Sequence, residues 1–281
     1  MTSLAAALAG IRAALDQATL IPYMGPGVLA LAGPDCQLPA SPQALVARLI
    51  QGASVPHKLR GNLTGAAQFI ENFKHRKTLV GQMRAAFTAD VEPTRLHRFF
   101  ASEPAIPLIV HAWYDDLPQR ALARRNDWCM AQGASQAEHF GHWTRQFRAD
   151  GKPLDDAGTA RTLLYQPFGS IAPASNFLIS DSDFVEVLTE IDIQTPIPCA
   201  VQARRTGRHF LFLGCRFSSQ IERIFAHQIS KRSSGLHWAV LPETPTRNEV
   251  RFMAQHGIEP IVVDLATFTA GLAGTGQAEA A

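Results

Sequence analysis

An open, mostly parallel α/β sheet of about six strands with a helical insertion is the fold class the sequence predicts, and three observations carry it. Short apolar runs recur, the plainest being residues 209–214 (HFLFLG), 236–241 (LHWAVL) and 260–264 (PIVVD). Amphipathic helical patterns with their own start signals lie between them, and such alternation implies parallel strands joined by right-handed crossovers. A chain of 281 residues, 46% hydrophobic and 18% charged, can bury one large core of this kind.

Taken in order, Leu4, Leu8, Ile11 and Leu15 recur at helical spacing and predict an amphipathic first helix. Arg12 interrupts its apolar stretch and no basic lead-in precedes it, unlike a signal peptide. Residues 19–31 (TLIPYMGPGVLAL) then read as a buried strand entering a turn in which Gly25 and Gly27 flank Pro26. Glycine removes the Cβ that would keep a phosphate or sugar from the backbone, whereas proline removes an amide donor. The spacing is not G-x-G-x-x-G, so a phosphate loop and an ordinary turn both stay open at this point.

Ser41-Pro42 starts a helix that runs to about Gln51, with serine as cap and proline in the first turn. From Asn62 two helical stretches follow, one faced by Leu63, Ala67, Ile70 and Phe73 and the next by Leu79, Met83 and Phe87. They form a helical insertion over about residues 55–103. Residues 105–113 (AIPLIVHAW) suit a strand buried on both faces, ending in Tyr114-Asp115-Asp116. An aromatic-rich insertion over about residues 125–157 shows no clear period and reads as loops with one or two short helices. A strand at about 162–165, the turn Pro167-Phe168-Gly169-Ser170 and a helix started by Ser180-Asp181-Ser182-Asp183 complete the middle of the chain. In the last third, Ser219-x-x-Glu222 and Thr246-x-x-Glu249 have capping-box spacing and open two helices, the first striped by Ile221, Ile224, Phe225 and Ile229. Residues 1–270 are expected to form a single domain and the small-residue tail 271–281 to be flexible.

In such a sheet, ligands sit beyond the carboxyl ends of the strands, where the loops 25–29, 113–116, 168–170 and 214–219 are placed. The stretches Pro22-Tyr23-Met24-Gly25-Pro26-Gly27-Val28, His111-Ala112-Trp113-Tyr114-Asp115-Asp116, Pro167-Phe168-Gly169-Ser170 and Phe212-Leu213-Gly214-Cys215-Arg216-Phe217-Ser218 carry a resemblance as a set. In order and spacing they are similar to motifs of the sirtuin-like family, particularly its bacterial branch of NAD-consuming defence proteins. There they read Phe-Ile-Gly-Ala-Gly-x-Ser, Thr-Thr-Asn-Tyr-Asp-Asp, Leu-His-Gly-Ser and Phe-Ile-Gly-Tyr-Ser-x-x-Asp. The resemblance spans about residues 15–265 and implies a Rossmann-like sheet. It also implies a pocket for NAD, ADP-ribose or another nucleotide-containing cofactor. Its contacts would be Gly25, Gly27, Val28, Trp113, Asp115, Phe168, Gly169, Ser170, Gly214, Cys215 and Ser218.

The family's Asn of the second motif and His of the third are associated with cleaving the nicotinamide–ribose bond, and here they are Trp113 and Phe168. An indole only donates and a phenyl has no polar atom, so neither serves as a general base. Val28 replaces the family's serine and Pro26 its alanine. These departures imply a pseudoenzyme, with no catalytic residue assigned, that binds a nucleotide, a planar cofactor or a protein partner, a second copy of itself included. The alternatives are an active NAD glycohydrolase in bacterial defence, with His111 substituting for the lost histidine, and a purely structural subunit. His111 is expected on the same side of an extended strand as Trp113, where the two compete for space. Two points stay open: whether Trp113 and Phe168 fill the former cavity or contact a ligand, and whether Asp115 meets a ribose hydroxyl or caps the helix starting there. Ser219 is assigned to capping alone.

With 26 Lys+Arg against 24 Asp+Glu, the net charge of +2 predicts no nucleic-acid partner. No apolar run approaches the roughly 20 residues that span a bilayer. Cys36, Cys129, Cys199 and Cys215 lie far apart without a C-x-x-C pair, which argues against a zinc ribbon and suits a reducing cytoplasm. His139-x-x-His142, with Cys129 and Glu138 near in sequence, supplies donor atoms but no standard zinc spacing, so no metal is expected.

Overall fold

Ser3 accepts the Ala6 amide and starts α1 (Leu4–Asp16), whose Ala7, Ile11, Ala14 and Leu15 are buried. In the computed structural model, which describes residues 3–190 and 197–274, the chain continues into β1 (Leu20–Met24) and α2 (Pro42–Leu49). Then come α3 (Leu63–Ala86), α4 (Arg95–Ser102), β2 (Leu108–His111), α5 (Leu117–Leu122), β3 (Trp128–Gly133), β4 (Thr144–Arg148) and β5 (Thr162–Gln166). The short antiparallel pair β6 (Gly169–Ser170) and β7 (Asn176–Phe177) leads to α6 (Asp181–Glu190) and α7 (Cys199–Arg205). The last third alternates strictly: β8 (His209–Leu213), α8 (Gln220–Ser230), β9 (His237–Leu241), α9 (Arg247–Gln255), β10 (Ile258–Val262) and α10 (Leu265–Gly274).

The main sheet has eight strands in the order β10-β9-β8-β1-β2-β5-β3-β4, parallel except for β4 against β3. Ile11, Leu20, Met24, Phe100 and Phe268 pack on one face, and Tyr23, Ile70, Phe212 and Phe225 on the other. Each face is closed by helices, which is why β1, β2, β5 and β9 are buried at every residue.

Eight strands replace the expected six because β3 and β4 form where loops and short helices were expected. The reason is a polar residue inside a buried strand whose side-chain N–H groups find acceptors. Gln132 Nε2 donates to Gln166 Oε1 at 2.8 Å and to the Ala172 carbonyl at 2.6 Å, so β3 needs no continuous apolar run. Its outer neighbour β4 is itself covered where the chain folds back, Arg148 N–H reaching the Lys152 carbonyl at 2.8 Å and Leu154 N–H the Gln146 carbonyl at 2.9 Å.

Two further expectations are corrected. Phe73 does not join the buried face of α3: it is 68% exposed and stacks on Phe69 with ring centroids 4.4 Å apart. Two residues on, His75 at φ 67° breaks the helix, so the face is not continuous through this turn. Residues 271–274, expected to begin a flexible tail, complete α10 with Leu272 buried, while residues 275–281 lie outside the described residues. Among the described residues no helix is long and apolar enough to cross a membrane.

Candidate functional site

The central strand β1 lies between β8 and β2, so the chain winds away from it in both directions. Loops leaving neighbouring strands diverge at such a point and leave a crevice beyond their carboxyl ends. Here the crevice is a cavity of about 600 Å³ walled by the rings of Tyr23, Trp113, Tyr114, Phe168, Phe184 and Phe217. Its rim carries Asn62, Arg216, Ser218 and Glu222.

Of the residues the sequence points to, Gly25, Trp113, Phe168, Cys215 and Ser218 line this cavity. Gly27, Val28, Asp115, Gly169, Ser170 and Gly214 are not brought to its wall. Val28 is 1% exposed among the residues of the opposite sheet face. Ser170, fully buried, directs its hydroxyl to the carbonyls of Tyr114 and Asp115 at 3.3 and 3.2 Å.

The glycine pattern has a tertiary cause. A Cβ at Gly25 would lie 2.7 Å from the Gly214 carbonyl oxygen and 2.8 Å from Cys215 Sγ, and one at Gly27 would lie 2.9 Å from the same oxygen. Gly25 N–H donates to the Leu213 carbonyl at 2.9 Å, Gly27 N–H to the Gly214 carbonyl at 2.9 Å and Val28 N–H to the Gly25 carbonyl at 3.2 Å. Two loops therefore touch backbone to backbone, and the amides of the first are used within the protein.

Trp113 and Phe168 are both packed and part of the wall. The indole, 3% exposed, donates from Nε1 to the Pro39 carbonyl at 2.8 Å and lies 5.0 Å from the Tyr114 ring. Phe168 meets Phe225 and Phe184 edge-on at 4.9 and 5.5 Å. The rings bound the cavity and leave it open.

Asp115 holds the start of α5 from just ahead of its N-cap, Asp116, whose own side chain makes no capping bond: Asp115 Oδ1 accepts the Leu117 amide at 3.1 Å and Oδ2 faces His111 Nε2 at 3.0 Å, with both side chains 1% exposed. Burial alone would raise this carboxyl, but His111 and the Leu117 amide outweigh it and hold it below its ordinary range. His111 is not beside Trp113 as expected. It follows Ile109 on the face opposite the cavity and packs against His97 of α4, ring centroids 6.1 Å apart, because β2 ends at His111 and the alternation stops there. His111, the alternative catalytic residue that the sequence offers, is thus enclosed away from the cavity.

Sequence reasoning passed over Tyr23 as a site residue, although its alternation with Ile21 places both on one face of β1. Tyr23 is 4% exposed and lines the cavity, and its hydroxyl has no hydrogen-bond partner among the described residues. Burial, with Cys215 and Glu222 nearby, pushes its phenol well above the ordinary value, and burial likewise raises the Cys215 thiol. Both stay protonated at neutral pH. Glu222 closes the capping box of α8, Oε2 accepting Ser219 N–H at 2.9 Å.

Behind the rim, Arg216 donates to both oxygens of Glu249 at 2.9 and 3.1 Å, and this fully buried carboxylate also accepts the Thr246 amide and hydroxyl, each at 2.8 Å. Burial raises Glu249, but the Arg216 and Thr246 hydrogen bonds prevail and hold it at about 2. A carboxyl lowered by folding contributes stability that is full above its unfolded value near 4.5 and is lost as pH falls toward about 2. With the Arg216 side chain 31% exposed, solvent screens the pair, and a contribution of about 2 kcal/mol is expected. Urea unfolding should therefore find Arg216→Ala weaker than the parent at about pH 6, with the gap narrowing by about pH 3.

The other constellation is dispersed. Glu138 pairs with Arg76 at 3.2 Å, Cys129 Sγ faces the Ala157 carbonyl at 3.7 Å, and His139 and His142 sit in a turn, the second exposed. Among the described residues no group of three or more His, Cys, Asp or Glu side chains could hold a metal ion.

Fold and cavity together define a Rossmann-like α/β protein with a ligand-sized crevice at the switch point of its sheet. The chain belongs to the SIR2-like family: a family model described as SIR2-like domain matches residues 107–261. Among solved structures it is similar to one described as "Structural Basis for the Mechanism and Regulation of Sir2 Enzymes", over 95% of this chain and 98% of that one, at 12% identity and a TM-score of 0.39. No curated protein matches the chain.

Proposed function

We propose that this SIR2-like protein binds a planar, nucleotide-related ligand in the cavity and does not cleave NAD. Family membership supports an NAD-related ligand. The observation that supports the second half is the wall itself: Trp113 and Phe168, which the sequence resemblance sets at the positions of the cleaving pair, line the cavity, and among the described residues no histidine does. A general base must lie within hydrogen-bond reach of the proton it removes. Tyr23 and Cys215 keep their protons, and Glu222 is engaged in capping α8. What the cavity offers is ring surface, and each aromatic pair contributes about 0.5–1.5 kcal/mol beyond area burial.

Purified protein incubated with NAD is expected to release no nicotinamide above a heat-denatured control, and native mass spectrometry of the protein as isolated is expected to show a non-covalently held, ultraviolet-absorbing small molecule. Nicotinamide release that survives repurification would sink the non-cleaving reading. The protein-partner reading has less support, because the large apolar side chains exposed among the described residues, Phe73, Phe140, Val185, Val250 and Val262, sit on four different elements and the loop between β3 and β4.

A further inference from the structure

From α2 through α3, residues 42–86, the sequence carries seven Lys and Arg side chains and one carboxylate, Glu71, which leaves 19 against 23 in the rest of the chain. This helical region is a basic module on a mildly acidic protein, and a field of that sign favours anions. Arg76 is answered by Glu71, Glu138 and Asp183, and Arg48 donates to the Gln37 carbonyl at 2.9 Å. The side chains of Lys58, Lys74, Lys77 and Arg84 have no hydrogen-bond or ion-pair partner among the described residues.

Within this region a second cavity, of about 570 Å³, is walled by residues 50–54, which follow α2, and by Arg60 and Lys74. It shares no lining residue with the ring-walled crevice, and among the described residues no carboxylate lines it. Cations beside a helix end serve its carbonyls where these are open. Here they are taken: Val46, Arg48, Leu49 and Ile50 accept the amides of Ile50, Gln51, Gly52 and Ala53 at 3.0, 3.2, 3.3 and 3.4 Å. Arg60 uses only Nε, on the Val55 carbonyl at 3.1 Å, which orients the guanidinium and leaves its two Nη groups for a ligand. The Ser54 amide and hydroxyl have no partner among the described residues. Going beyond the ligand of the crevice, we propose that this second cavity binds a small molecule bearing a di- or triphosphate, held by the Arg60 guanidinium and the Lys74 ammonium, with Ser54 donating from its amide and hydroxyl. A guanidinium matches two phosphate oxygens with paired N–H donors, and an ammonium adds a compact charge with little directional demand. A lone carboxylate answers one cation, whereas linked phosphates answer both. The volume is that of a small-molecule site.

Tripolyphosphate, titrated calorimetrically into the full chain at about 0.1 M salt, is expected to bind about ten-fold or more tightly than orthophosphate and to weaken as salt rises. Lys74→Gln should weaken it about ten-fold without moving the thermal midpoint, since this ammonium holds nothing in the protein, and Lys74→Arg should retain it. With tripolyphosphate bound, amide hydrogen exchange should slow at residues 54–60 and stay unchanged at 214–221, beside the ring-walled crevice. Binding indifferent to Lys74→Gln, or protection confined to 214–221, would put the anion elsewhere and overturn the proposal. Equal affinity for orthophosphate, or no binding at all, would overturn it too. A single-stranded oligonucleotide of about 20 nucleotides that binds more tightly than tripolyphosphate, with the same loss in Lys74→Gln, would replace the small molecule by a nucleic-acid backbone. The planar ligand of the crevice is decided separately, by nicotinamide release and native mass.

Discussion

Asp183→Ala is expected to destabilise the protein by about 3–5 kcal/mol, read as a lowered urea midpoint. This carboxylate, 2% exposed, accepts the Ile179 and Ser180 amides at 2.8 and 3.0 Å, the Ser135 hydroxyl at 2.5 Å and Arg76 at 2.8 Å. Removing it leaves two amides, a hydroxyl and a guanidinium short of an acceptor in one place. Arg76 also reaches the Phe177 carbonyl, Glu71 and Glu138, so the cluster ties α3, α6, β7 and the loop after β3 together. The effect extends to the cavity, because α6 carries Phe184 of its wall. A loss below about 1 kcal/mol would show that solvent reaches the site and replaces the missing acceptor.

The second large effect concerns placing at 113 and 168 the Asn and His that the sequence resemblance implies for those positions. Trp113→Asn with Phe168→His is expected to cost about 4–7 kcal/mol and to restore no NAD cleavage. Each ring is a packed wall element, and the two share Tyr114, at 5.0 and 6.2 Å, so their costs are not additive. The indole N–H also tethers the Pro39 carbonyl, just ahead of the Ser41 cap of α2, whose first residue Pro42 lines the cavity. Chemistry stays absent because an imidazole at 168 lies among the rings of Tyr114, Phe184 and Phe225, which offer no polar partner to orient it as a base. Nicotinamide release, followed at a temperature where circular dichroism shows the variant folded, checks this. Turnover there would mean that the site lacked only those two groups.

Local signals were legible. Ser41, Ser219 and Thr246 cap the helices they were expected to cap, since an N-cap depends on residues within one turn. The box at Thr94 and His97 escaped notice because histidine takes the place usually held by Glu or Gln. All six expected strands form, because short apolar runs between helices have few other ways to be buried. By contrast, β3 depends on Gln132 meeting Gln166 from another strand, a pairing no local pattern reports.

The candidate site divides in the same way. The order of the four loops and the aromatic replacements at 113 and 168 could be read from the chain alone, as could membership of the family that the match over residues 107–261 bears out. The sequence by itself thus determined the sheet's alternation, the helix starts and the aromatic residues at positions 113 and 168. Only the tertiary structure decided that the glycines make room for a second loop, that His111 faces away, and that Tyr23 lines the cavity with a hydroxyl unpartnered among the described residues. A residue type states what a side chain can do, but what occupies the space beside it is set by segments up to about 190 residues away, as Gly25 and Gly214 show.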